Sequence, residues 1–171
     1  FNRIKAERSD IDAKPEKLKA IVSEELLPYI DYKYAALLVL GKNLKKTTKA
    51  QRGEFVEVFK DYLVVTYAQV LGQYEDQAVE FEPPKDIKGK KVAVVKTRIV
   101  GGDRPDINIS FRVRKNKNTN EWKAYDMVAE GISLLNSKRS ELGPMIRAEG
   151  IDSVIKMLRA KTEKPFAVKK V

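Results

Sequence analysis

The period of the apolar residues changes twice along this chain, and that limits the fold more than any other feature. Through residues 1–75 apolar positions recur every third or fourth residue. From about residue 77 they alternate with polar ones, and after Gly131 the helical spacing returns. Helices, then strands, then helices, with short links and no internal repeat, read as one α+β domain over residues 1–171. Its helices should pack on one side of a meandering antiparallel sheet.

The first helical block divides at its own punctuation. "KPEKLKAIVSEELLPYI" places Leu18, Ile21, Val22, Leu26 and Leu27 at helical spacing, with Pro15 in the first turn and Pro28 bending or ending it. "DYKYAALLVLGKN" is a second segment, with Asp31 as N-cap and Gly41 as stop. The longest helix is expected over 49–74, capped by Thr47 or Thr48. In the middle block, "QAVEFEP" is a short strand. "KKVAVVKTRIVGG" sets Ala93, Val95, Thr97 and Ile99 against Lys96 and Arg98. "RPDINISFRVRKN" sets Ile107, Ile109, Phe111 and Val113 against Asp106, Asn108, Ser110, Arg112 and Arg114. "KNKNTNEW" is a polar hairpin turn. "ISLLNSKRSELGPMIRAEG" and "IDSVIKMLRAKTEK" are helices parted by Gly150, the second with Asp152 as a possible cap. The tail "PFAVKKV" has no assignment.

The 171 residues carry 34 Lys and Arg against 24 Asp and Glu, a formal charge of +10, which suits an anionic partner. With no Cys there is no thiol nucleophile or thiolate metal site. With no His the Ser-His and Cys-His pairs and most zinc sites are excluded as well. The longest apolar run, "AALLVL" at residues 35–40, is far short of the roughly 20 residues a spanning helix needs. There is no signal peptide, and Phe1 reads as the middle of a helix, so the chain is expected to be a mature or trimmed form.

The 49–74 helix is the informative one. Phe55, Phe59, Tyr62 and Thr66 form one stripe, and Val56, Leu63, Tyr67, Val70 and Tyr74 another. Together they exceed the stripe of about 100° that faces an ordinary core. Either the helix is deeply buried or it lines an apolar cavity against the sheet. The basic clusters at Lys45-Lys46, 88–91 and 112–117 lack the stacking motif or recognition helix that nucleic-acid readout needs. Gly101-Gly102 lacks phosphate-loop spacing. Asp126 and Glu130 could pair for acid-base chemistry only across a bulge. The plainer reading makes Asp126 a structural hydrogen-bond acceptor and Ser133 a helix cap.

Four segments then resemble a known family in order and spacing: "IVSEELLPYIDYKYAALLVLGK" at 21–42, "AQRGEFVEVFKDYLVVTYAQVLGQY" at 50–74, "WKAYDMVAEGIS" at 122–133 and "EGID" at 149–152. The chain resembles the MlaC, or toluene-tolerance, family of periplasmic phospholipid carriers over essentially its whole length. The resemblance implies helices on one curved antiparallel sheet, enclosing an apolar pocket for the acyl chains, with the headgroup near solvent. It implies a periplasmic monomer without a cofactor, bound phospholipid being cargo. It also implies shuttling between an outer-membrane lipoprotein–porin complex and an inner-membrane MCE-domain ABC transporter, with no nucleic-acid partner and no catalysis. Candidate lipid-facing residues are Tyr34, Leu38, Phe59, Leu63, Tyr67 and Val70 on the helices. On the strands they are Val95, Ile109, Phe111, Val113, Tyr125, Met127 and Val128. "WKAYDMVAEGIS" would be the last strand, turning at Gly131 into a helix. Lys123 shares a face with Tyr125 and Met127 unless a bulge near Asp126 intervenes, so which parity faces the lipid stays open. Two other readings remain: a basic adaptor for protein or nucleic acid with no lipid cavity, and a hydrolase using Asp126 and Glu130.

Overall fold

A computed structural model describes residues 1–73, 77–83, 86–101 and 105–168. The expected helix end at Tyr74, Gly102 of the glycine pair and the last residues of the tail lie outside these.

Short helices open the chain: α1 (Asn2–Ala6), α2 (Arg8–Ala13) and α3 (Lys17–Ile21). Pro15 lies in the turn ahead of α3 rather than inside it, its carbonyl accepting from Leu18 N at 3.1 Å. Proline cannot donate, and the chain adapts on both sides of Pro28. The backbone widens into a π-helical turn at Val22–Leu26, then tightens into a 3-10 turn at Leu27–Tyr29. Asp31 caps α4 (Tyr32–Leu40), its Oδ1 accepting from Tyr34 N at 3.1 Å. Gly41, at φ 51°, ends α4 and leaves room for Arg139, whose Nε would lie 2.9 Å from a Cβ there. Of the two candidate caps, Thr48 begins α5 (Lys49–Leu71) in a reciprocal capping box with Gln51. Thr47 is buried instead, donating to the Leu44 carbonyl at 2.8 Å.

The strands β1 (Ala78–Phe81), β2 (Val92–Val100), β3 (Ile107–Lys115), β4 (Trp122–Ala129) and β5 (Ile132–Ser133) lie side by side in sequence order, all antiparallel. The pairs Phe81–Thr97, Thr97–Ile109 and Phe111–Met127 set the apolar positions on one face. β4 does not turn straight into a helix as expected. Glu130 and Gly131, at φ 46° and 80°, make a two-residue turn into β5. The helix α6 (Leu134–Glu149) begins only after it. Gly150, at φ 84°, separates α6 from α7 (Ile151–Thr162). Asp152 does not cap α7, because Gly150 holds the cap position. Its carboxylate accepts from Gln51 Nε2 at 3.0 and 3.1 Å, tying α7 to the start of α5. The unassigned tail packs back: Phe166 is buried, and Val168 lies against Gly72, where a Cβ would come within 2.5 Å of it.

The core sits among the helices. Phe55, Leu18, Leu40, Leu142 and Leu158 are fully buried, all on helices. Among the described residues no apolar side chain of any β-strand is buried; Thr97, Asp126 and Ser133 are the strand residues that are. The helices therefore have a core of their own, which the sheet joins only through Ala124 and Met127 of β4 among its described residues, and the rest of the sheet's apolar face is not filled by it.

Candidate functional site: an open apolar cavity between helix and sheet

The unfilled space is a cavity of about 310 Å³. Thr97, Ile99, Ile109, Phe111 and Met127 form its sheet wall, and Val79 and Phe81 of β1 its edge. Tyr67, Val70 and Leu71 of α5 face them, and Ile4, Ile21, Glu25, Leu26 and Ile30 close the third side. A second lobe of about 130 Å³ shares Phe1, Val70, Leu71 and Ile99 with it and reaches Ile107. The mouth is apolar and wet at once: Phe81 is 70% exposed, Phe1 50% and Val70 48%. Exposed apolar surface around a cleft marks a place that receives another apolar body.

The lining asks for little polar contact. The Thr97 hydroxyl already donates to the Ile109 carbonyl at 3.1 Å. Burial, with a smaller push from the Asp126 charge, raises the Tyr67 phenol to about 12, so it is neutral at ordinary pH. Among the described residues, Glu25 is the one charged side chain in the wall of the larger cavity. Among the described residues no group of three or more carboxylates is placed to hold a metal ion.

Of the candidate residues, Tyr67, Val70, Ile109, Phe111 and Met127 line this cavity. Phe59, Leu63 and Tyr125 lie deeper, around a gap of only about 20 Å³ where α5 meets β4 and α6. That is room for about one water, so helix and sheet have closed there. Tyr34 is elsewhere: its ring meets Tyr125 edge-on at 5.3 Å and carries the Arg114 guanidinium at 4.0 Å. Leu38, Val95, Val113 and Val128 line neither space. Leu38 is on α4, which packs on α5 and α6. Val95 and Val113 share Phe111's face but lie toward the hairpin end, beyond the cavity. Val128 pairs with Ser110, on the opposite face. Sequence reasoning missed Ile4, Ile21, Leu26, Leu71 and Phe81 as lining; Ile99 had a signal, being on the apolar parity of β2.

A bulge settles the parity of β4. Val113 opposes Ala124 and Arg112 opposes Asp126, which leaves Tyr125 as the extra residue. Lys123 can then point away from the face that Met127 shares with Phe111. Next to the bulge, the Asp126 side chain, 1% exposed, accepts from Ser133 Oγ at 2.7 Å and Leu135 N at 3.0 Å and lies 3.4 Å from Arg112 Nη1. Ser133 Oγ in turn accepts from Asn136 N at 3.0 Å. The pair caps α6 and joins it to the sheet. Glu130 has separate partners: its carboxylate accepts from Asn108 N, and its own N–H donates to the Asn108 carbonyl at 3.0 Å. The two carboxylates thus hold different junctions.

The model of the MlaC protein family matches residues 1–160. The chain belongs to the MlaC family. It is 32% identical over 168 residues to the intermembrane phospholipid transport system binding protein MlaC of Haemophilus influenzae, covering 97% of this chain and 78% of that one. It is 23% identical over 150 residues to the toluene tolerance protein ttg2D of Pseudomonas putida, covering 87% and 68%. The fold matches that of a phospholipid-binding protein from Ralstonia solanacearum, solved in complex with a phospholipid. The TM-score is 0.75 at 23% identity, over 87% of this chain and 84% of that one. The overall fold of this chain, helices on an antiparallel sheet, is thus shared with that protein. The reading of a basic adaptor with no cavity does not stand beside the 310 Å³ space between α5 and the sheet.

Proposed function

We propose that this MlaC-family chain is a periplasmic phospholipid carrier, acting as one lipid-binding domain and as a monomer. The observation that carries this is the apolar sheet face that no helix fills, opposite Tyr67 and Val70. Acyl chains would lie against Tyr67, Ile109, Phe111 and Met127, with the headgroup at the mouth between Phe81 and Val70. The names and family of its relatives support phospholipid as the cargo. The carrier would hand lipid between an outer-membrane lipoprotein–porin complex and an inner-membrane MCE-domain ABC transporter, in keeping with its family. Holding rather than transforming the lipid fits the separate structural duties of Asp126 and Glu130.

Native mass spectrometry of protein purified from a bacterial host, followed by organic extraction, tests the reading. A copurifying diacyl phospholipid is expected. Protein free of lipid that also fails to take it up from vesicles would refute it.

A further inference from the structure

The face of the sheet turned away from the cavity carries a patch that the carrier reading leaves unused. Val92 and Val94 stand on it 58% and 54% exposed, and Ile87 in the preceding loop is 41% exposed. Their cross-strand neighbours are cations: Val92 opposes Arg114 and Val94 opposes Arg112, with Lys123 opposite Arg114 on the next strand. The loop before β2 and the β3–β4 hairpin meet at this end, where Lys115 N donates to the Lys91 carbonyl at 2.9 Å. They add Lys88, Lys90, Lys91 and Lys117, none of which pairs with a carboxylate among the described residues. Within the patch Arg112 pairs with Asp126, Arg114 with Asp31 and Lys123 with Glu121, so the unpaired charge is that of the lysines; farther along this face Lys96 pairs with Glu82, and Arg98 with Glu80 and Asp106.

The geometry points to this end of the outer sheet face as a docking surface for an acidic protein surface with an aliphatic centre. Charge complementarity selects an acidic occupant, and the exposed valines give its centre something to bury. Position selects protein over bilayer. The mouth lies at Phe81 and Val70 on the other side of the sheet, and Phe81 pairs with Thr97, five residues along β2 from Val92, roughly 17 Å at about 3.3 Å per residue. A bilayer seated on the basic end would hold the mouth away from the lipid it must receive. A protein can grip this end and leave the mouth free.

The inference rests on the carrier reading, and its test separates the two. The triple variant Lys88→Glu, Lys91→Glu, Lys117→Glu is compared with Lys42→Glu, Lys45→Glu, Lys46→Glu, which makes the same charge change on a different surface. Val94→Ser probes the apolar centre. Binding is measured to the purified lipoprotein–porin complex, to the purified MCE-domain transporter and to vesicles containing phosphatidylglycerol, with extracted lipid read in the same samples. The patch triple is expected to weaken binding to at least one complex tenfold or more, with Val94→Ser weakening it several-fold. The control triple should stay within about twofold, and lipid content should be unchanged. Equal effects of both triples, no effect of either, or loss confined to vesicles would overturn the docking surface. Absence of lipid from every sample would instead overturn the carrier reading.

Discussion

Asp126 ties β4 to the start of α6 through its side-chain carboxylate. It takes the N–H of Leu135 and the hydroxyl of Ser133, and Ser133 takes the N–H of Asn136, so the first turn of α6 hangs on one carboxylate. Replacing it with Asn leaves a buried group short of a partner. Asp126→Asn is expected to cost about 1–3 kcal/mol in a urea melt while lipid still copurifies. Lysophospholipid formed by the parent protein and not by the variant would reverse that assignment. Tyr67 makes a second prediction. Burial first, and the Asp126 charge second, raise its pKa to about 12, above the unfolded value of about 10. The folded state therefore keeps its proton where the unfolded state loses it. This stabilisation is complete below pH 10 and lost as pH rises to about 12, an amount of about 2–3 kcal/mol. Thermal unfolding between pH 9 and 12 should fall less steeply for Tyr67→Phe than for the parent.

At the scale of elements, α5 does two jobs along one length. Around Phe59 and Leu63 it closes on β4 and α6, and around Tyr67 and Val70 it opens onto the cavity. Leu63, 4% exposed, belongs to the closed part, so Leu63→Ala is expected to cost about 2–5 kcal/mol. Val70, 48% exposed at the mouth, should tolerate Val70→Asp with little change in melting temperature but a marked fall in bound lipid. The contrast is read by parallel melts and lipid extraction. The wide apolar stripe of this helix was legible in sequence; the point where it passes from core to cavity was not. Helical spacing reports which residues share a face and says nothing of how far a partner element approaches. The same holds for β3, where Ile109, Phe111 and Val113 share a face but Val113 lies past the cavity. Asp31 and Gly41 were readable, and the α5 cap to within Thr47 or Thr48, because caps and stops are local chemistry. Ile4 and Phe81 were not, since they reach the cavity through contacts distant in sequence.

The whole molecule has a helical layer with its own core and a sheet that meets it at β4 and stands off from it along β1, β2 and the start of β3. Between them lies a cleft lined by apolar side chains. Two acyl chains of ordinary length carry roughly 30 methylene and methyl groups. At about 0.8 kcal/mol each, their full burial is an upper figure of roughly 24 kcal/mol relative to water. Even a fraction of that makes escape into buffer slow, so cargo should leave by contact. Labelled phospholipid is expected to stay bound in buffer and to leave when an acceptor complex is added. Raised salt should slow the transfer by screening the +10 charge. The order of helices, sheet and helices was readable from periodicity, as was the antiparallel meander. The separation of the layers was not, because it depends on a core that the helices complete among themselves. That separation is most directly tested with a phospholipid bearing a photoreactive diazirine at the end of one acyl chain. After loading, irradiation and peptide mass spectrometry, adducts are expected on Tyr67, Ile109, Phe111 and Met127. Adducts confined to Val92 and Val94 on the outer sheet face, or to the α6–α7 surface, would contradict it.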